Sequence, residues 1–197
     1  MKYVLPYKTV KFTNESMDTV DSALKNPQFE DGTIGVTQNP EEAIDILGEK
    51  EYEELLATRS SKVSWIDDPK LTILLHQIVE NINRDTGWNF NISNSDPIQY
   101  TVYNQGDHYN WHTDQSPPDH RNQVRKISMT LFLNEEYEGG ELDLELGSPL
   151  SEDRNETFKL TRGNAIFFTS DIWHRVRPVT SGVRKSLVAW FLGRPYV

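Results

Sequence analysis

Tyr109-Asn110-Trp111-His112-Thr113-Asp114 reads as a β-strand that forms one wall of a barrel. Side chains alternate between the faces of a strand, so His112 and Asp114 project to one side, ~7 Å apart along the backbone, and Trp111 and Thr113 to the other. The segment therefore offers one apolar-leaning side and one ligand side, as a barrel wall must. His174, in Ile172-Trp173-His174-Arg175, follows the buried-looking strand Asn164-Ala165-Ile166-Phe167-Phe168 and gives a third ligand a plausible scaffold. Two imidazoles and one carboxylate facing one point are the set that holds a non-haem iron(II) and leaves coordination positions open for oxygenase chemistry.

Outward from this segment, the sequence falls into two regimes. From Trp88 onward the hydrophobic period is two, and strands are expected at Trp88 to Ile92, Ile98 to Asn104, Tyr109 to Asp114, Val124 to Leu133 and Glu141 to Glu145. Further strands are expected at Thr157 to Leu160, Ala165 to Thr169, His174 to Pro178 and Val183 to Leu192, with Gly, Pro, Asn and Asp turns between them. So many short strands predict a mainly β, double-sheet jelly roll. The first half reads as helical around an edge strand at Lys2 to Phe12. A short helix is capped by Asn14 or Ser16 and ends near Leu24, and a second follows Asn39-Pro40 and breaks at Gly48. A third follows Asp67-Asp68-Pro69 and carries Leu71, Leu74, Leu75, Ile78, Val79 and Ile82 as one apolar stripe, with His76 off the stripe toward solvent. These helices are expected to cover one outer sheet face.

The chain has 197 residues, 36% hydrophobic and 25% charged, which fits one domain. Within it, residues 1–96 are expected to give helical support and edge strands, and residues 97–197 the catalytic core. With no cysteine, any metal must be held by imidazole and carboxylate. A formal net charge of -10 argues against nucleic acid or anionic lipid as a partner. No apolar run approaches a membrane span, and Met1-Lys2-Tyr3-Val4-Leu5-Pro6 lacks the apolar stretch of a signal peptide, so a cytoplasmic location is expected. Oligomeric state is not readable from the sequence.

Two other histidines are set aside. His108 and His112 are four apart, but a zinc-protease helix needs Glu directly after the first histidine, and Tyr109 stands there. His120, in Pro117-Pro118-Asp119-His120-Arg121, reads as a solvated loop residue. Arg184 is more informative. It opens the apolar strand Val183-Arg184-Lys185-Ser186-Leu187-Val188-Ala189-Trp190, where a guanidinium either pairs bidentately with an anion, pairs with a protein carboxylate or points outward.

Taken in order and spacing, these elements resemble the prolyl 4-hydroxylase-like branch of the 2-oxoglutarate/iron(II) dioxygenases. The resemblance runs from Gln99-Tyr100-Thr101-Val102-Tyr103-Asn104 and the segment ending at Asp114, through Arg125-Lys126-Ile127-Ser128-Met129-Thr130-Leu131-Phe132-Leu133-Asn134 and Gly139-Gly140-Glu141-Leu142. It continues to Gly163-Asn164-Ala165-Ile166-Phe167-Phe168, His174 and Gly182-Val183-Arg184-Lys185-Ser186, covering about residues 97 to 192. Among its members the chain is most similar to the bacterial and phage iron/ascorbate-dependent hydroxylases.

The resemblance implies iron(II) on His112, Asp114 and His174, with 2-oxoglutarate and O2 as cosubstrates and ascorbate as reductant. It implies Arg184 on the distal carboxylate of 2-oxoglutarate, helped by Tyr103 and by Ser128 or Thr130, with Trp190 as a pocket wall and Arg125 reaching toward substrate. It implies hydroxylation of a prolyl residue in a peptide or protein, such as a proline-rich one, or of free proline. Nucleic-acid dealkylation, the chemistry of another branch, is disfavoured, because Arg184-Lys185-Ser186-Leu187-Val188-Ala189 lacks the second inward-facing arginine which that other branch places after its cosubstrate arginine. A non-catalytic jelly-roll binding protein is the competing class; it has no reason to turn Arg184 and Tyr103 toward the metal. Phe29 to Gly35 and Gln115 to Gln123 read as lids or as inert surface loops.

Overall fold

The structure is a computed structural model that describes residues 4–32, 40–115, 117–148 and 150–195. Among the described residues four helices precede most of the sheet: α1 Asn14–Ala23, α2 Pro40–Leu47, α3 Glu49–Thr58 and α4 Pro69–Asp85. The strands of the first half are β1 Tyr7–Lys11, β2 Glu30–Asp31, β3 Arg59–Ser60, β4 Lys62–Ile66 and β5 Ile92–Ser95. Those of the second half are β6 Ile98–Tyr103, β7 His108–His112, β8 Val124–Phe132, β9 Tyr137–Gly139 and β10 Leu142–Glu145, followed by β11 Asn155–Phe158, β12 Asn164–Thr169, β13 His174–Val176, β14 Val179–Gly182 and β15 Arg184–Gly193.

Two antiparallel sheets face each other as the two layers of a jelly roll. The major sheet has the order β1-β12-β8-β15-β6-β4-β2, with β5 added on β15; the minor sheet has the order β11-β10-β13-β7-β3, and β14-β9 form a separate ribbon. Alternation along the long central strands decides what each face does. Ile127, Met129, Leu131, Leu187, Ala189 and Phe191 point outward and pack with Leu71, Leu75, Val79 and Ile82 of α4. Tyr103, Phe132 and Phe168 point inward and meet Leu142, Leu144 and Val176 of the minor sheet. Helix α4 thus covers one outer face, capped by Asp68, whose side chain accepts from the Leu71 backbone N–H. Among the described residues no helix is long and apolar enough to cross a membrane.

Several expectations need correction. Thr13, not Asn14 or Ser16, caps α1, its hydroxyl accepting from the Ser16 backbone N–H. The strand expected at Trp88 to Ile92 begins only at Ile92. Asn83 of α4 bonds both backbone groups of Phe90, at 2.9 and 2.8 Å, taking up hydrogen-bonding capacity that a sheet would use. His76 is half-buried rather than solvated: its Nε2 lies 3.1 Å from Ser95 Oγ and its ring meets Phe191 edge-on. The alternating segment Lys62–Ile66 is a strand that was not expected, and so are β9 and β14.

The expected break at Gly48 is present. There φ is +85°, a conformation favoured by glycine, and the residue separates α2 from α3. Of the two lid candidates, residues 33–35 and Ser116 lie outside the described residues. Phe29 packs on Tyr100, and the segment from Asp119 to Gln123 is closed on itself by Asp119, which accepts from the backbones of Arg121 and Gln123.

Candidate metal centre

The last residue of β7, His112, lies in register with the first of β13, His174. This pairing across the minor sheet brings the two imidazoles together, with ring centroids 4.1 Å apart. Asp114 lies two residues past the end of β7, so strand alternation does not place it. A backbone clasp does: the N–H groups of Asp114 and Gln115 both donate to Ser170 O, at 3.0 and 2.9 Å, and Ser170 N donates to Lys126 O.

The carboxylate then reaches both rings, Oδ1 3.7 Å from His112 Nε2 and Oδ2 3.5 Å from His174 Nε2. One potential ligand atom from each residue lies within 4.8 Å of the others. Ligand atoms around one ion at ~2.0–2.2 Å stand about 3 Å apart at right angles, so small side-chain adjustments close the site.

The nitrogens away from the centre are fixed. His112 Nδ1 donates to Asn110 O at 2.8 Å and His174 Nδ1 to Ile172 O at 2.9 Å, which orients each Nε2 toward Asp114. Burial, reinforced by the neighbouring His174, pushes the His112 imidazole down to about 3. Burial alone would raise the Asp114 carboxyl, but His174, His112, Arg125 and a hydrogen bond from Ser128 hold it below the ordinary carboxylate range. A neutral His112 beside an ionised Asp114 is the protonation pattern that a divalent cation requires.

Arg184 opens β15 in register with Tyr103 of β6 and is only 1% exposed. Its Nη1 donates to Ser186 Oγ at 2.9 Å, and its Cζ lies 5.2 and 5.3 Å from the ring centroids of Tyr103 and Phe132. Nε and Nη2 are buried with no partner among the described residues. Gly140 makes room for this side chain, since a Cβ there would stand 2.9 Å from Arg184 Cδ. Alternation puts Arg184, Ser186, Val188 and Trp190 on the inner face of β15, and Val188 and Trp190 line one pocket with His112, Asp114 and His174.

Residues 98–192 match the family model described as the 2OG-Fe(II) oxygenase superfamily. This stretch belongs to that superfamily. A PKHD-type hydroxylase of Synechococcus sp. (strain JA-2-3B'a(2-13)) is 38% identical over 97 residues, 47% of this chain and 41% of that protein. The aligned stretch thus spans about two fifths of the length of this curated relative. Among solved structures, a Pseudomonas putida prolyl-4-hydroxylase aligns with TM-score 0.58 and 21% identity over 90% of this chain and 98% of that one. The viral collagen prolyl hydroxylase from Paramecium Bursaria Chlorella virus-1, in its 2OG complex, aligns with TM-score 0.63 and 16% identity over 96% of this chain and 97% of that one. At these identities the structures establish the fold.

The residues of the oxygenase domain fit the iron(II) and 2-oxoglutarate that the superfamily's name specifies. The donor set is two imidazoles and a carboxylate, and the orphaned N–H groups of Arg184 are what a carboxylate would satisfy. Other residues singled out from the sequence fall into place unevenly. Thr130 lines the pocket. Ser128 does not face Arg184; its hydroxyl lies 3.0 Å from Ser170 Oγ and bonds Asp114, because Ser128 pairs with Trp190 at the metal's level of the sheet. The hydroxyl touching Arg184 belongs to Ser186. Arg125 pairs with Asp96 at 2.7 Å and stacks on Trp190 with Cζ 4.1 Å from the ring centroid.

Sequence reading missed Tyr109, which stacks on His112 at 3.5 Å, along with Arg59 and Gln99 in the pocket lining. The alternation over Lys62–Ile66 was the available signal for a strand near Arg59. Nothing local pointed to Arg59 itself.

Proposed function

We propose that this chain is an iron(II)- and 2-oxoglutarate-dependent hydroxylase acting on a prolyl residue of a peptide or protein. The single observation that carries the cosubstrate assignment is Arg184: a fully buried guanidinium on the inner face of the major sheet, two of its nitrogens without partners among the described residues. A binding module has no use for so costly a group, and an incoming dicarboxylate does.

When bound, iron(II) and 2-oxoglutarate activate dioxygen for C–H hydroxylation as 2-oxoglutarate is converted to succinate and carbon dioxide. The chain's own residues have distinct tasks. His112, Asp114 and His174 would hold the iron, with the backbone carbonyls of Asn110 and Ile172 fixing the rings and Ser128 fixing the carboxylate. Arg184, flanked by Tyr103, would receive the distal carboxylate at the closed end. Trp190, supported by Arg125, walls the substrate side, and the two sheets keep water away from the reacting atoms. Asp114 favours hydroxylation, since its carboxylate takes the place that a halide would need.

The prolyl substrate is supported by the solved structures sharing this fold, which include prolyl hydroxylases of bacterial and viral origin. The test is succinate formation by protein reconstituted anaerobically with iron(II), then given 2-oxoglutarate, ascorbate and oxygen with and without proline-rich peptides. Peptide-stimulated turnover with one oxygen atom gained on proline is expected. Turnover that no peptide stimulates would redirect the substrate to a free amino acid or other small molecule. Iron binding without turnover would place the chain among non-catalytic jelly rolls.

A further inference from the structure

The metal pocket carries a second guanidinium that the site described above does not use. Arg59 opens β3, and its side chain reaches the inner face of the major sheet. Nε donates to Ser61 Oγ at 2.8 Å and Nη2 to Gln99 Oε1 at 2.9 Å, and Cζ lies 4.8 Å from the centroid of the Tyr109 ring stacked on His112. Among the described residues it is the one cation lining this pocket, and no carboxylate lies within ion-pair distance of it. Its position is fixed by neutral acceptors and an aromatic face, which leave its charge uncompensated.

Formal charges say what that cation is for. Iron(II) and Arg184 balance Asp114 and the two carboxylates of 2-oxoglutarate, while Arg125 is already balanced by Asp96. Arg59 is therefore in surplus in a partly desolvated pocket, where an unpaired charge is costly. It also serves a different end of the pocket from Arg184. Its anchor Gln99 pairs with Val188, four residues along β15 from Arg184, or ~13 Å of strand.

We infer that Arg59 receives a carboxylate of the substrate, so that the molecule hydroxylated here carries an anionic group beside the reacting carbon. This rests on the proposed function and narrows its substrate class. The carboxylate has two possible sources: the α-carboxylate of a chain-terminal or free residue, or the side chain of an acidic neighbour.

The experiment is calorimetric binding to protein loaded with manganese(II) and 2-oxoglutarate, so that no turnover intervenes. Probes come as isosteric pairs: a proline-ended peptide as acid and as amide, and an internal Asp-Pro peptide against Asn-Pro. Wild-type protein is expected to bind the acidic member of at least one pair about tenfold more tightly, and which pair responds identifies the source. The preference should vanish in Arg59→Gln and also in Gln99→Glu. The second variant sets a carboxylate against Arg59 across an existing 2.9 Å contact and so supplies the missing anion without removing packing. Circular dichroism verifies that both variants fold.

Equal binding within both pairs, including no binding of any probe, overturns the inference, as does a preference that survives in both variants. Succinate formation by the same wild-type preparation separates the two levels. Succinate without an acid preference defeats only the role of Arg59, whereas no succinate under any condition defeats the proposed function.

Discussion

The two faces of β8 and β15 are made from alternate residues of the same strands and are built on opposite principles. The outer face presents Ile127, Met129, Leu131, Leu187, Ala189 and Phe191, all with no exposed surface. Close packing against α4 makes this face a source of stability. The inner face presents Ser128, Thr130, Arg184, Ser186 and Trp190, where Arg184 Nε and Nη2 and Trp190 Nε1 are buried without partners among the described residues. Fully satisfied polar groups would cost less. The unmet donors mark where a ligand completes the protein, on a sheet kept rigid from behind.

Substitutions on the two faces should therefore separate stability from function. The largest effect is expected for His174→Ala, which removes a ligand whose loss the other two cannot replace. Succinate formation should fall to background while circular dichroism shows a folded protein, with some loss of melting temperature because the buried ring packs edge-on against Phe168. Next is Phe191→Ala on the outer face. Chemical denaturation should show a loss of about 3–5 kcal/mol, and the 2-oxoglutarate affinity of the remaining folded protein should be unchanged.

Arg184→Met reverses that pattern. The 2-oxoglutarate requirement should rise by roughly 10- to 100-fold, the worth of a charge-assisted contact of about 1.5–3 kcal/mol. The unliganded protein should be no less stable than wild type, since a buried unpaired charge has gone. A melting temperature that drops with Arg184→Met would show that the guanidinium is structural and would erase the distinction between the faces.

The smallest effect concerns His76, held below its ordinary value of 6.5 by burial against the outer face, with Glu80 opposing. A histidine with a depressed pKa binds protons more readily in the unfolded chain. Its contribution is therefore complete above pH ~6.5 and is lost as pH falls below that value. Denaturation of metal-loaded protein at pH 7.5 and 5.5 should show a loss on acidification that is smaller in His76→Gln.

Where the period of two was regular, the sequence was readable: β6, β8, β12 and β15 lie within a residue or two of their expected bounds, and Arg184 and Trp190 share the inner face as spacing requires. The metal ligands were readable as a set but not in their means of placement. Asp114 falls outside β7 and is held by the carbonyl of Ser170, a contact between distant segments that no local pattern encodes. The same holds for Phe90, whose backbone is captured by Asn83, and for Arg59, which reaches the pocket only because β3 pairs with β7. Local periodicity specifies which way a side chain points within an element. Which elements meet depends on packing across the whole chain.

The most direct test is oxygen-dependent conversion of 2-oxoglutarate to succinate by iron(II)-loaded wild-type protein, run beside Asp114→Ala. Succinate is expected from the wild type, none without oxygen and none from Asp114→Ala, with both proteins folded. Equal succinate from the two proteins would contradict the assignment of the iron to His112, Asp114 and His174.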